Sequence, residues 1–171
     1  ILIRDVRVDL VPFFYQELKK INLAQRGYNS LGDITACPGT DTCNLGIASS
    51  TGIAKELEKV IELEYPKYLN NRDLVIKISG CMNACGHHHI GHIGILGVDK
   101  KGEEFYQVSL GGSQAKDASL GKILGPSFHQ EDMPEVIEKR QAIEGVALDR
   151  GFRLCRPGTA RGAVVGADQG E

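Results

Sequence analysis

Four of the chain's five cysteines fall in two short groups, Cys37 with Cys43 and Cys81 with Cys85, and no other feature restricts the fold as much. The groups read C-x5-C and C-x3-C, and the second begins 38 residues after Cys43. If the four thiols act together, the chain between them must leave and return to one place. An odd cysteine count, unevenly clustered behind a start (ILIRDVRVDL) with neither the h-region nor the cleavage site of a signal peptide, fits a disulfide framework poorly. Thiolates are soft ligands that select zinc or iron–sulfur clusters. Structural zinc normally uses spacings of about two to four residues, whereas wider loops can wrap a cubane, and four cysteines complete the ligand set of one 4Fe–4S cluster. The spacing therefore favours iron–sulfur over zinc, with four unliganded structural cysteines as the plainest alternative. Cys155 stands apart and reads as a free thiol without a role.

The 171 residues suffice for one ordinary domain, and 42% hydrophobic with 25% charged residues is the balance of a soluble globular protein. Twenty basic against 22 acidic residues give a net charge of −2, which argues against a nucleic acid held on a basic face. No apolar run approaches the roughly 20 residues that cross a bilayer, so a cytoplasmic protein without membrane contact is the default expectation. The sequence opens in mid-pattern without methionine, as a fragment would.

Residues 1–8 alternate apolar and charged like a strand end, and 10–21 reads as an amphipathic helix with Leu10, Phe13, Phe14, Leu18 and Ile21 on one side. Gly27, Asn29, Ser30 and Gly32 mark a loop, with a domain boundary near residue 28. A helix is expected from about 50 to 63, carrying Ile53, Leu57, Val60 and Ile61, with Pro66 ending the pattern. The run LVIKIS (74–79) reads as a strand that delivers the second cysteine group, and 92–98 and 105–110 read as strands flanking a turn at Lys101 and Gly102. A last helix is expected from Pro134 to about Val146, N-capped by Asp132 with Glu135 three residues on. The class is α+β or α/β. From residue 149 the chain reads as an irregular tail rich in glycine, alanine and arginine.

Small residues surround every clustered cysteine in ACPGTDTCNLGIASS and SGCMNACGHHHIGHIGILG. They permit tight turns whose N–H groups can point at cluster sulfurs. Both segments resemble the paired cysteine motifs of the nitrite and sulfite reductase haemoprotein family, which couples a sirohaem to a 4Fe–4S cluster. The likeness runs through LVIKISGC and EEFYQVSLGGSQAKDASLGK and covers roughly residues 30 to 145. The opening ILIRDVRVDLVPFFYQELKKINL is similar to the end of the ferredoxin-like half-domain that precedes the sirohaem domain in that family. The resemblance implies an α+β domain at 29–148, with mixed sheet and flanking helices. It would be preceded by the end of a ferredoxin-like half-domain at 1–28 and followed by the tail at 149–171.

The resemblance also implies roles. Cys37, Cys43, Cys81 and Cys85 would bind the cluster, and Cys85 matches the cysteine whose sulfur is also the axial ligand of the sirohaem iron. Asn83 matches a position at the sirohaem edge, and Thr42, Gly111 and Gly112 are candidates for lining the pocket. The implied reaction is six-electron reduction of sulfite to sulfide or of nitrite to ammonia, fed by a ferredoxin or a flavoprotein reductase. In the family, arginines and lysines of a first half hold the substrate anion. That half is absent from this sequence, and Arg4, Lys77 and the tail arginines lie in no matching motif, so no anion-binding or catalytic residue is assigned and the fragment alone is expected to be inactive. The adjacent His87, His88 and His89 cannot all face one point on a strand, and for these and His92 polar packing or contact with sirohaem carboxylates comes first, solvent exposure second and catalysis last. Alternatives are a relative acting in corrinoid ring biosynthesis and a 4Fe–4S electron-transfer module without sirohaem.

Overall fold

A computed structural model of the chain describes residues 3–24, 27–28, 30–69, 71–114, 116 and 118–139. Among these, the elements run α1 (Val11–Lys20), β1 (Thr35–Ala36), α2 (Ser50–Glu64), β2 (Ile76–Ser79), β3 (Ile93–Lys100), β4 (Glu103–Leu110), β5 (Lys122–Ile123), β6 (Phe128–His129) and α3 (Met133–Lys139). The sheet is mixed, in the order β1-β2-β3-β4-β5, with β6 also paired to β4. β1 and β3 flank β2 in parallel, while β3 and β4 form an antiparallel hairpin. The class is α+β, as expected.

Each element has a local cause. Ser49 caps α2 by accepting the Gly52 N–H, and Ile53, Ala54, Leu57 and Ile61 recur on the face that the helix buries. β2 has neighbours on both sides and is buried at all four positions, so it reads as a continuous run rather than an alternation. Lys101 (φ 60°) and Gly102 (φ 88°) give the hairpin the paired left-handed residues whose twist matches its strands. α2 and α3 pack together, and the core joins Leu57 and Ile61 to Ile78, Ile95, Tyr106, Met133 and Ile137. Truncating Leu57, which is wholly buried, to alanine would cost about 2–5 kcal/mol.

Several boundaries differ from the sequence reading. Residues 3–8 form no strand. Asp5 is left-handed (φ 59°), which breaks an extended run, and a 3-10 turn at Val8–Leu10 leads into α1. α1 forms as expected, but Phe13 is 58% exposed, Leu10 and Ile21 are also exposed, and the helix has no buried residue. β2 begins at Ile76, two residues later than expected, while β3 and β4 are longer because the hairpin pairs up to its turn. Asp132 is the last residue of a 3-10 turn, Gln130–Asp132, rather than a flanking cap, so α3 starts at Met133. The expected continuation to Val146, the tail from 149 and Cys155 lie outside the described residues. Among the described residues no helix is long and apolar enough to cross a membrane.

Candidate metal centre

The first cysteine loop leaves β1 beside the carboxyl end of β2. The Cys37 N–H donates to the Ile78 carbonyl (3.1 Å), extending the parallel ladder by one step. The Gly80 N–H then donates to the Cys37 Sγ at 3.1 Å, and the Ser50 hydroxyl lies 3.3 Å from the same sulfur. A 3-10 turn at Gly39–Asp41 reverses the chain, the Cys43 N–H donates to Gly39 O, and Ile47 and Ala48 both return their N–H groups to Gly80 O at 3.0 Å.

Side chains from elsewhere hold this loop. The Glu104 carboxylate on β4 accepts the Ser49 N–H (3.0 Å) and the Thr40 hydroxyl (3.4 Å). The Tyr106 hydroxyl donates to Ser49 O at 2.8 Å and lies 3.3 Å from Glu104. Asp41 accepts from the hydroxyls of Ser49 and Thr51. Burial, followed by the Glu104 charge, pushes the Tyr106 phenol far up, so it stays a donor at any ordinary pH.

The second loop, 80–91, connects two parallel strands in about a dozen residues, near the shortest span such a crossover allows. It does so with consecutive tight turns: Ala84 N–H to Cys81 O, His87 N–H to Ala84 O, Ile90 N–H to His87 O and Gly91 N–H to His88 O. Ala84 (φ 57°) and His87 (φ 54°) are both left-handed, a conformation that costs a residue with a Cβ about 1–2 kcal/mol. Gly86 donates to the Ser79 hydroxyl at 3.1 Å, so close to β2 that a Cβ there would overlap the Ile78 carbonyl. Cys81 is buried, Cys85 is exposed, and Met82 between them is 81% exposed.

The two loops interlock. A Cβ on Gly80 would stand 2.5 Å from Ala48 O, 2.7 Å from the Ser50 hydroxyl and 2.8 Å from the Gly39 Cα. The structure thus brings the Cys37 loop onto the turn that carries Cys81, anchors Cys43 to the same turn of chain through Gly39, and presents Cys85 outward. All four are free thiols. Among the described residues no three His, Cys, Asp or Glu side chains gather closely enough to hold a single metal ion. Burial pushes the Cys37 thiol up, but hydrogen bonds from Ser50, Gly80 and Gly39 outweigh it and hold the thiol below its ordinary range.

Thr42 and Asn83 are exposed on their respective loops. Gly111 (φ 87°) donates to His92 O, and Gly112 is buried with room for no Cβ against the carbonyls of His89 and Gly91. Among the histidines, His92 is a packing residue: its Nδ1 accepts the Val75 N–H at 3.1 Å, and burial lowers its pKa against the opposing charge of Asp73. His88 is 4% exposed and its Nδ1 has no hydrogen-bond partner; burial and then the neighbouring His89 push its pKa down to about 4. Sequence reasoning missed Ser50, Glu104 and Tyr106 as residues that touch or hold the cysteine loops. Their contacts span 13 to 64 positions along the chain, and no local pattern marks them.

The family described as nitrite and sulphite reductase 4Fe-4S domain matches residues 27–142. The chain is 28% identical over 106 residues to an assimilatory-type sulfite reductase of Nitratidesulfovibrio vulgaris, covering 62% of this chain and 45% of that protein. It is 32% identical over 117 residues to a sulfite reductase (NADPH) hemoprotein beta-component of Bacillus licheniformis, covering 67% and 19%. A ferredoxin–nitrite reductase of Synechococcus elongatus is 30% identical over 112 residues, covering 61% and 20%. Among solved structures, the NirA protein of Mycobacterium tuberculosis superposes with a TM-score of 0.65 at 25% identity, over 78% of this chain and 26% of that one. The chain therefore spans less than half the length of each of these proteins.

Proposed function

The chain belongs to the nitrite and sulphite reductase 4Fe-4S domain family, and from that premise we propose that it is the cluster- and sirohaem-binding portion of a cytoplasmic reductase that takes sulfite to sulfide or nitrite to ammonia. The observation that carries this reading is the interlock of the two cysteine loops at Gly39 and Gly80. Cys37, Cys43, Cys81 and Cys85 would hold the 4Fe–4S cluster. The donor set fits: four free thiols, one of them already accepting fixed hydrogen bonds, on loops whose glycines let the two backbones close on one another. A cubane spreads its ligands over four irons, so it does not need the tight group that a single ion demands.

The exposure of Cys85, with Asn83 and Met82 beside it, suits a thiol that also reaches a sirohaem iron outside the cluster. Thr42, Gly111 and Gly112 would complete that edge. When bound, the paired centres would supply the electrons and the metal that the reduction needs. The chain's own part is to fix the ligands, keep the cluster sulfurs hydrogen-bonded and present Cys85. Residues 29–148 would form this domain, with 1–28 ending a ferredoxin-like half-domain and 149–171 a tail. Substrate-anion contacts would come from that other half, and electrons from a ferredoxin or a flavoprotein. Because developing charge needs positioned cationic donors, the chain alone should not turn over sulfite or nitrite.

Anaerobic reconstitution with iron and sulfide tests the assignment. The expected product carries about four irons and four sulfides per chain, with the EPR signal of a reduced cubane. Serine at any one of the four cysteines should lower the iron content, because oxygen is a harder ligand. Uptake that is unchanged when Cys43 and Cys81 are both replaced would overturn the ligand set.

A further inference from the structure

We propose that the Ser50 hydroxyl tunes the reduction potential of the cluster through a hydrogen bond to the Cys37 sulfur. The inference rests on the reading of Cys37 as a cluster ligand, and it concerns a residue that this reading leaves without a role. Ser50 is the first residue of α2, and it is wholly buried. Its Oγ lies 3.3 Å from the Cys37 Sγ. With a free thiol either group can donate. A cysteine bound to iron has lost its proton, so in the loaded protein only the serine can be the donor.

The hydroxyl is held rigidly. Gly80 and Gly39 pack against it so tightly that a Cβ on either would come within 2.7 Å and 3.0 Å of the Ser50 Oγ. The Gly80 N–H already meets the same sulfur at 3.1 Å from the opposite cysteine loop. The sulfur of the half-buried Cys37 thus faces two fixed donors, one from a helix start and one from the end of β2. One-electron reduction adds negative charge to the cluster and its thiolates. Fixed donors favour the more negative state, so each raises the potential, and hydrogen bonds to the sulfurs are among the factors that set it. Ser49, one residue earlier, supplies the internal control: its hydroxyl accepts the Gly52 N–H to cap the same helix and donates to Asp41, so its loss perturbs the same loop while leaving both donors to the Cys37 sulfur in place.

The experiment is an EPR-monitored redox titration of the reconstituted chain, compared across Ser50→Ala, Ser50→Thr and Ser49→Ala at matched iron content. Ser50→Ala is expected to lower the equilibrium constant for reduction about three- to tenfold, a tenfold change being about 59 mV for one electron. Ser50→Thr, which keeps the hydroxyl, should stay near the unaltered potential. Ser49→Ala should lower the melting temperature and leave the potential in place. If Ser50→Ala holds no cluster while Ser50→Thr does, the hydroxyl is again the feature required. A loaded Ser50→Ala with an unshifted potential overturns this inference alone, as does loss of the cluster in both Ser50 variants, which would assign the position to packing. Failure of the unaltered chain to take up iron and sulfide overturns the ligand reading and this inference together.

Discussion

The two cysteine loops meet at one junction but are built differently. The loop carrying Cys37 and Cys43 adds to its backbone bonds the support of side chains from other elements: Ser50 from α2, and Glu104 and Tyr106 from β4. The loop carrying Cys81 and Cys85 is held largely by its own backbone, through four successive turns and two left-handed residues, pressed against β2. A loop secured by side chains loses its shape in steps, one hydrogen bond at a time. A loop made of tight turns tolerates its own geometry and little else. That difference orders the effects of mutation and acid on the unloaded chain.

The sharpest way to break the comparison is at Gly86. A methyl there would overlap the Ile78 carbonyl on the central strand, and the backbone of a paired strand cannot retreat. Gly86→Ala should cost at least about 3 kcal/mol, measured as a lowered urea midpoint. A loss under about 1 kcal/mol would show that the second loop can shift as a unit and is not pinned to the sheet.

Acid should come next, again through the second loop. The His88 pKa falls from 6.5 to about 4 in the folded chain, first because the ring is buried and then because of His89. The neutral form is the one the fold accommodates, so the unfolded chain binds more protons between those two values. Stability from this group is complete above pH 6.5 and is lost as pH falls towards 4, by up to about 3 kcal/mol. His92, also lowered, adds to the loss with the same sign. Urea titrations at pH 7 and pH 4.5 check this, and His88→Leu should flatten the pH dependence. An unchanged slope in that variant would move the acid sensitivity elsewhere.

Smaller effects are expected where side chains hold the first loop. Glu104→Ala removes the acceptor of the Ser49 N–H and the Thr40 hydroxyl and should cost about 1–2 kcal/mol. Tyr106→Phe loses one donor to Ser49 O and should cost about 1 kcal/mol. Thermal melts of the two variants and their double mutant would show coupling, because the two groups share Ser49 and touch each other at 3.3 Å. Strict additivity would mean that they do not act as one support.

The same contrast explains what was legible in the sequence. Local signals worked where the cause is local: the Pro66 end of α2, the hairpin turn at Lys101 and Gly102, and the small residues around each cysteine. The apolar faces of α1 and α2 are equally clear as patterns, yet Ile53, Leu57 and Ile61 are buried while Phe13 and Ile21 are exposed. Periodicity shows that a helix has an apolar side and says nothing about what covers it. The strand expected at the start failed because alternation needs a partner strand to pair with, and the left-handed Asp5 breaks the run. Ser50, Glu104 and Tyr106 were invisible because their contacts with the cysteine loops follow from how α2 and β4 pack against the junction.

The smallest effect should carry the opposite sign. Ala84 sits at φ 57° between Cys81 and Cys85, where its Cβ crowds the backbone and the native turn forces the conformation. For an alanine that costs about 1–2 kcal/mol, and glycine avoids it. Glycine gives back about 0.5–1 kcal/mol through the greater freedom of the unfolded chain. Ala84→Gly should therefore stabilise the unloaded chain by up to about 1 kcal/mol, read as a rise in the urea midpoint. The matching change in the first loop, Thr42→Gly, removes no left-handed strain, since Thr42 has φ −144°, so it should give no gain. A stabilised Ala84→Gly beside an unimproved Thr42→Gly would locate stored backbone strain in the loop that presents Cys85. If Ala84→Gly were destabilising, the alanine methyl would be contributing packing that outweighs its strain, and the second loop would be held by side chains much as the first one is.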